Sequence, residues 1–207
     1  MGDTALTVRF GSAIDRDLNA IVVAHTISLS NARLPGVTDV VGAYASLSVH
    51  YNPITIGFRE LRGLVLEIVT DAVPDAAATS QRIHRIPVRY NGEDLDDVAV
   101  RTGLTRDDII KIHSSVEYRA WVIGFVPGWA YLGPLDNRLV LPRRESPRTR
   151  VPPGSVAIAE AQTGVYPSAT PGGWHLIGTT EMRMFDPAQS PPSLLAVGDR
   201  VKFEPIA

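Results

Sequence analysis

The chain has 207 residues, with 20 basic against 22 acidic side chains and no cysteine. That length closes a hydrophobic core without a staple, and the missing thiols exclude a disulfide scaffold, thiolate zinc, iron–sulfur ligation and a cysteine nucleophile. The near-even charge gives no argument for nucleic acid or an anionic membrane.

In chain order, Leu6, Val8 and Phe10 alternate with Thr7 and Arg9, which predicts a half-buried strand. Ser12 with Asp15 three residues on resembles a capping box, and Ile14, Leu18, Ile21, Val22, His25 and Leu29 then share one helical face, with Leu34-Pro35-Gly36 as its end. Strands follow around Val37 to Val41 and over Ala45 to Tyr51, stopped by Asn52-Pro53. A second helix carries Ile54, Phe58, Leu61, Val65 and Ile68. The order β-α-β-β-α predicts a two-layer α+β domain over residues 1–80, with Asp71 to Ser80 as its exit linker.

From residue 81, Ile86, Val88 and Tyr90 alternate, a short helix runs from about Asp94 to Thr102-Gly103, and Thr105 with Asp108 starts another that reaches His113. Short β-like runs follow: Tyr118 to Ile123, Leu139 to Leu141, Ser155 to Ala159, Trp174 to Ile177 and Arg200 to Glu204. Short strands at frequent turns predict a mainly-β sandwich or barrel over residues 81–207, with two helices at its start. Eight of the 17 Gly and eight of the 16 Pro fall between Trp121 and Gly178, so this stretch holds the special loops.

Met1 to Leu6 has no basic or apolar leader, position 6 is Leu where myristoylation wants Ser or Thr, and no uncharged apolar run approaches the ~18 residues of a membrane span. A soluble, cytoplasmic protein is expected.

Familiar catalytic motifs are absent. Lys111 and Lys202 follow no Gly-rich loop, there is no G-x-G-x-x-G or G-x-S-x-G, and the five His residues show no metal spacing, so no metal site is expected. Arg138, Arg143, Arg144, Arg148 and Arg150 instead place five guanidinium groups in thirteen residues, opposed by Asp136 and Glu145. Such a cluster suits a phosphate or carboxylate clamp through bidentate bonds, or a solvated loop tied to acidic neighbours. His113 follows Ile109 and Ile110 on an apolar helix face, the place of a hydrogen-bonded core histidine. Its ordinary pKa of about 6.5 also suits a general base. Gln162, Thr163 and Tyr166 offer neutral donors and acceptors for an amide or lactam, and Pro171-Gly172-Gly173 lets the main chain approach a ligand; turn residues would explain both. Trp129, Tyr131 and Trp174 read as core or interface aromatics.

Four segments carry a stronger signal: Gly124-Phe125-Val126-Pro127-Gly128-Trp129-Ala130-Tyr131-Leu132-Gly133, Pro142-Arg143-Arg144, Gln162-Thr163-Gly164-Val165-Tyr166-Pro167 and Thr170-Pro171-Gly172-Gly173-Trp174. Together they resemble the family of 5-oxoprolinase B-type subunits, also labelled allophanate hydrolase subunit 1 or the KipI-type kinase inhibitor. Pro134, Ala159-Glu160-Ala161 and His175 depart from the family pattern. The resemblance implies an α+β N-terminal domain followed by a cyclophilin-like β-barrel domain. It implies a C-type partner similar to allophanate hydrolase subunit 2, an A-type partner for full activity, and ATP, with magnesium, as cosubstrate for opening 5-oxoproline or a related small amide. The same domains are similar to the carboxyltransferase part of urea carboxylase; this chain has no Met-Lys-Met, so no biotin is expected on it. The roles expected are Arg143, Arg144 and Arg148 on anionic groups, His113 for proton transfer, Gln162, Tyr166, Gly172 and Gly173 for positioning, and Thr163 and Pro171 among the substrate- or anion-binding residues, with the four segments converging on one barrel mouth. A regulatory kinase-binding protein and half of a biotin-dependent carboxyltransferase are the rival expectations.

Overall fold

A computed structural model describes residues 3–71 and 82–207, and the chain divides into two compact units, Met1–Ser80 and Gln81–Ala207. The expected exit linker lies outside the described residues, except for Asp71.

The first unit runs β1 (Ala5–Arg9), α1 (Arg16–Ala32), β2 (Val37–Gly42), β3 (Ser46–Tyr51) and α2 (Phe58–Asp71). β3 is central and antiparallel to both neighbours. Its alternate residues Leu47, Val49 and Tyr51 face Val22 and Leu29 of α1 and Leu61 and Val65 of α2, so the strand period of two meets the helix period of 3.6 in one core.

Two boundaries differ from expectation. Asp15, not Ser12, caps α1: its Oδ1 accepts from the backbone N–H groups of Asp17 and Leu18 at 3.0 and 2.9 Å, and Ile14 is left outside the helix and exposed. Ile54 does not join α2. The Asn52 side chain accepts from the Ile54 N–H at 3.0 Å, and its carbonyl accepts from Thr55 and Ile56, a turn that puts Ile54 93% in solvent and buries Ile56 instead.

The second unit holds β4 (Ile83–Val88), α3 (Leu95–Thr102), α4 (Arg106–Ser115), β5 (Glu117–Ile123), β6 (Ala130–Gly133), a single 3-10 turn (Asn137–Leu139), β7 (Arg148–Val151), β8 (Ser155–Ala159), β9 (Gln162–Val165), β10 (Thr170–Gly172), β11 (His175–Thr179) and β12 (Arg200–Pro205). Seven strands form one sheet in the order β11-β8-β9-β6-β5-β12-β4, with β12 and β4 the parallel pair. Arg89, just past β4, and Thr179, at the end of β11, exchange backbone hydrogen bonds of 2.9 and 2.8 Å. The sheet's outer strands therefore meet, and it nearly closes into a barrel.

Alternation separates two faces. Ile86, Ala120, Leu132, Val156, Ile177 and Phe203 point into the enclosed core, together with Leu95 and Val98 of α3 and Ile109 and Ile112 of α4. Ala157, Ala159 and Leu176 point the other way, under the two-stranded ribbon of β7 and β10. The reciprocal Thr105–Asp108 capping box starts α4, and Gly103 at φ 69° ends α3, both as expected. The expected strand Leu139–Leu141 is instead a 3-10 turn: Asp136 caps it through Arg138 N–H and Leu139 N–H, and Leu141 alone makes a bridge, to Glu160. Among the described residues no helix is long and apolar enough to cross a membrane.

Candidate functional site

The outward face of β8 and β9 carries the small residues Ala157, Ala159 and Gly164, which lets a large ring pack closely on it. A Cβ at Gly164 would stand 3.0 Å from the Trp129 ring, so the indole rests directly on the glycine backbone. Around Trp129 stand Tyr166 at 4.6 Å, Trp174 at 5.0 Å and Tyr131 at 5.7 Å between ring centroids, with Phe125 at 6.1 Å edge-on above it. Phe125 holds φ 76°, a left-handed conformation that costs a non-glycine residue of order 1 kcal/mol, within the turn that Gly128 (φ 83°) completes.

These rings floor a pocket of about 200 Å³. Arg143 and Pro147 line it beside Pro171, Gly172 and Gly173, the two segments touching where a Cβ on Gly173 would stand 3.6 Å from Pro147. Gly172 has no room for a side chain, since a Cβ there would lie 2.2 Å from the Tyr166 hydroxyl. That hydroxyl accepts from the Trp174 backbone, and burial pushes its pKa up while Arg148 and Arg143 pull it down. All four motif segments thus converge, but on the outer face of the sheet beneath the β7–β10 ribbon, not at a barrel mouth. The enclosed side of the barrel is already filled by aliphatic and aromatic residues, which leaves the opposite face to carry the concavity.

The predicted site residues divide. Arg143, Tyr166, Pro171, Gly172 and Gly173 line the pocket, and Arg143 is exposed, without an ion pair or hydrogen bond to another described residue. Arg144 and Arg148 are taken up elsewhere: Arg144 Nη1 and Arg148 Nη2 both donate to Asp94 Oδ1 at 2.7 Å, and Arg148 Nε donates to Glu93 at 2.6 Å. Gln162, at the start of β9, is half-buried and does not line the pocket. Arg138 is paired with Asp136. Phe125, Trp129, Tyr131, Pro147 and Trp174 enlarge the expected set; four of them lie within the motif segments, which was the available signal.

His113 and Thr163 lie in the barrel core, fully buried. Thr163 Oγ1 donates to Ala157 O at 3.0 Å, so it accepts from His113 Nε2 at 2.9 Å; Nδ1 is then the acceptor for the Tyr90 hydroxyl at 2.8 Å. The imidazole is neutral, with both nitrogens occupied and its ring stacked on Phe203 at 4.7 Å. The expected proton-transfer role is corrected by this placement: His113 reaches no pocket surface, and its chemistry is that of a satisfied core polar group.

Burial holds His113 at about pKa 3. Since the unfolded value is about 6.5, the unfolded chain takes up the proton first as pH falls. The His113 contribution to stability is therefore complete above about pH 6.5 and is lost towards pH 3, at up to about 1.4 kcal/mol per pH unit. Urea denaturation of the wild type and His113→Gln should show the wild type losing roughly 2–3 kcal/mol more than the variant between pH 6.5 and 4.5. A difference that stays constant with pH contradicts the buried neutral state.

The family described as carboxyltransferase domain, subdomain C and D, matches residues 1–195. Among curated proteins, the B-type subunit of 5-oxoprolinase from Bacillus subtilis (strain 168) is 39% identical over 98% of this chain and 90% of its own length. The chain belongs to this family of 5-oxoprolinase B-type subunits, within the carboxyltransferase subdomain C and D class. The crystal structure of TTHA0988 superposes with a TM-score of 0.89 at 37% identity, covering 98% of this chain, and this chain spans 40% of that longer one. Urea carboxylase of Kluyveromyces lactis matches all of this chain with 21% of its own, at a TM-score of 0.75 and 18% identity, a likeness of fold.

The pocket does not fit a nucleotide with magnesium. At about 200 Å³ it is smaller than the roughly 300–1,000 Å³ of drug-sized ligand pockets, and Arg143 is its one guanidinium. Among the described residues no three His, Asp or Glu side chains converge to hold a metal ion.

Proposed function

We propose that this chain is the B-type subunit of a cytoplasmic, ATP-dependent 5-oxoprolinase that works with C-type and A-type partners. In this reading the near-closed sheet is the cyclophilin-like barrel of the family. The outer-face pocket takes the substrate, a small flat lactam acid, and the nucleotide and its magnesium belong to a partner. The observation that carries the reading is the convergence of all four motif segments on one pocket with a single unpaired guanidinium over an aromatic floor.

The chemistry of the lining suits such a ligand. A carboxylate meets Arg143 in a charge-assisted pair, and an unsubstituted ring lies against the Trp129, Tyr131 and Trp174 rings. Gly172 and Gly173 put bare main chain in the lining, where the amide edge can approach it. These residues bind and orient the substrate and shield it from water.

The test is 5-oxoproline-dependent ATP hydrolysis by the chain alone, with the C-type partner, and with the C-type and A-type partners together. Activity is expected in the full set and none in the isolated chain; turnover by the isolated chain, or no stimulation by 5-oxoproline in the full set, overturns the reading. Arg143→Ala should raise KM for 5-oxoproline by about 10–100-fold, the worth of one lost charge-assisted contact.

A second reading rests on the match of residues 1–195 to a carboxyltransferase domain. As half of a biotin-dependent carboxyltransferase, the chain would place the same acid or amide beside a biotin carried on another protein. Carboxyl transfer that requires a biotinylated partner, with no 5-oxoproline-dependent ATP hydrolysis, would select it.

A further inference from the structure

Asp94 sits at the N-cap of α3, where an aspartate ordinarily accepts from the first helical N–H groups, yet it makes no side-chain cap. Its carboxylate is buried and is spent on two distant segments instead. Oδ1 accepts from Arg144 and Arg148, and Oδ2 accepts from the Leu176 backbone N–H, each at 2.7 Å. The Asp94 N–H also donates to Leu176 O at 3.0 Å, and the two segments touch through Arg144 N–H to Gly173 O at 2.8 Å.

The two segments lie side by side and both contribute to the pocket lining. Arg143 and Pro147 lie in the stretch that Arg144 and Arg148 anchor, and Gly172, Gly173 and Trp174 immediately precede the one that Leu176 anchors. Asp94 itself does not line the pocket. We propose that Asp94 is a positioning residue: it ties both lining segments to one point and so sets the direction from which Arg143 meets an anionic ligand. The link to ligand binding rests on the pocket function proposed above.

A carboxylate shared between two guanidinium groups and a backbone N–H has three directed bonds in a buried place, so its loss removes a tie from both segments at once. Asp94→Asn fills the same volume but removes the charge and one of the two acceptors, so with its oxygen on the arginines its NH2 group faces the Leu176 N–H, donor against donor. Arg144→Gln cuts a single arm and serves where Asp94→Asn folds poorly.

The experiment combines kinetics and hydrogen exchange on the assembled enzyme. In the Arg143 background, Asp94→Asn should raise KM for 5-oxoproline about 10-fold with kcat changed by less than about 3-fold. In an Arg143→Ala background the same substitution should change KM by less than about 2-fold, because its effect passes through Arg143. The amides of Arg144 and Leu176 should exchange faster in Asp94→Asn, and that of Arg144 in Arg144→Gln, without ligand. Equal KM factors in both backgrounds, an unchanged KM, or unchanged exchange at both amides overturns the proposal. If Arg143→Ala leaves KM unchanged while Asp94→Asn still frees both amides, the tie through Asp94 stands and the substrate reading of the pocket fails.

Discussion

Gly92→Ala should destabilise the second unit by about 3 kcal/mol and lower its melting temperature by roughly 10 °C. A Cβ on residue 92 would stand 2.3 Å from Leu176 O, 2.4 Å from the Ile177 carbonyl carbon and 2.5 Å from Gly178 N. All three are backbone atoms of β11, which is pinned by its pairing with β8, so no side-chain rotation relieves the overlap. The turn before α3 must lift off the strand, and the lift breaks the Asp94 N–H to Leu176 O bond and pulls the Asp94 carboxylate from the Leu176 N–H. One methyl group therefore reaches the pocket lining through Asp94. Gly63→Ala is the matched control: it lies within α2 with nothing inside 4 Å of the new Cβ, and alanine there should be neutral or stabilising by roughly 0.5–1 kcal/mol. Thermal unfolding followed by circular dichroism reads both. A Gly92→Ala protein melting within about 2 °C of the wild type would show that the turn yields cheaply and that the close approach is not a constraint.

What the residues announce and what they conceal follow a physical line. Local signals survive: the Thr105–Asp108 box, the Gly103 stop and the five-residue strand Ser155–Ala159 depend on neighbours in sequence and are found where expected. β6, β7, β9 and β10 are three or four residues long, and β6, β9 and β10 carry Gly or Pro while β7 is flanked by Pro147 and Pro152, so each is too short for an alternation to declare itself. Their existence depends on partners far along the chain, such as Val151 against Thr170. The site divides in the same way. The motif segments mark the place, because each brings glycine, proline or aromatic residues that a tight ring-lined pocket requires. The roles of individual residues do not follow from them: Arg143, Arg144 and Arg148 look equivalent in sequence, and an aspartate 50 residues upstream of Arg144 takes two of them and leaves one for the pocket. His113 shows the converse. Its helix face was legible as apolar, but that its Nε2 is occupied by Thr163, also 50 residues away, depends on the closure of the barrel. The aromatics were legible as core, and they are core; the same rings also floor the pocket, which no periodicity separates from pure packing.

Trp129→Ala should give the other large effect, a loss of about 3–5 kcal/mol together with the loss of ligand binding. Trp129 is 2% exposed and forms the hub of the outer-face cluster, meeting Phe125, Tyr131, Tyr166 and Trp174. Because it rests on Gly164 and on the alanine-rich face of β8, truncation leaves a flat void that those small residues cannot fill, so the cavity cost comes close to its maximum. The indole Nε1 has no hydrogen-bond partner among the described residues, which means that the loss is one of packing and not of a polar contact. That feature sets the expected order of variants. Trp129→Phe removes a buried unpaired donor along with part of the ring, so it should cost much less than alanine, about 1–2 kcal/mol, and retain binding. Chemical denaturation ranks the stabilities, and titration of 5-oxoproline into the assembled enzyme ranks the affinities at a temperature where every variant is folded. If Trp129→Ala binds as tightly as the wild type once folded, the ring serves the core alone and the floor of the site lies elsewhere; if Phe costs as much as Ala, the indole nitrogen has a partner that the geometry above does not assign.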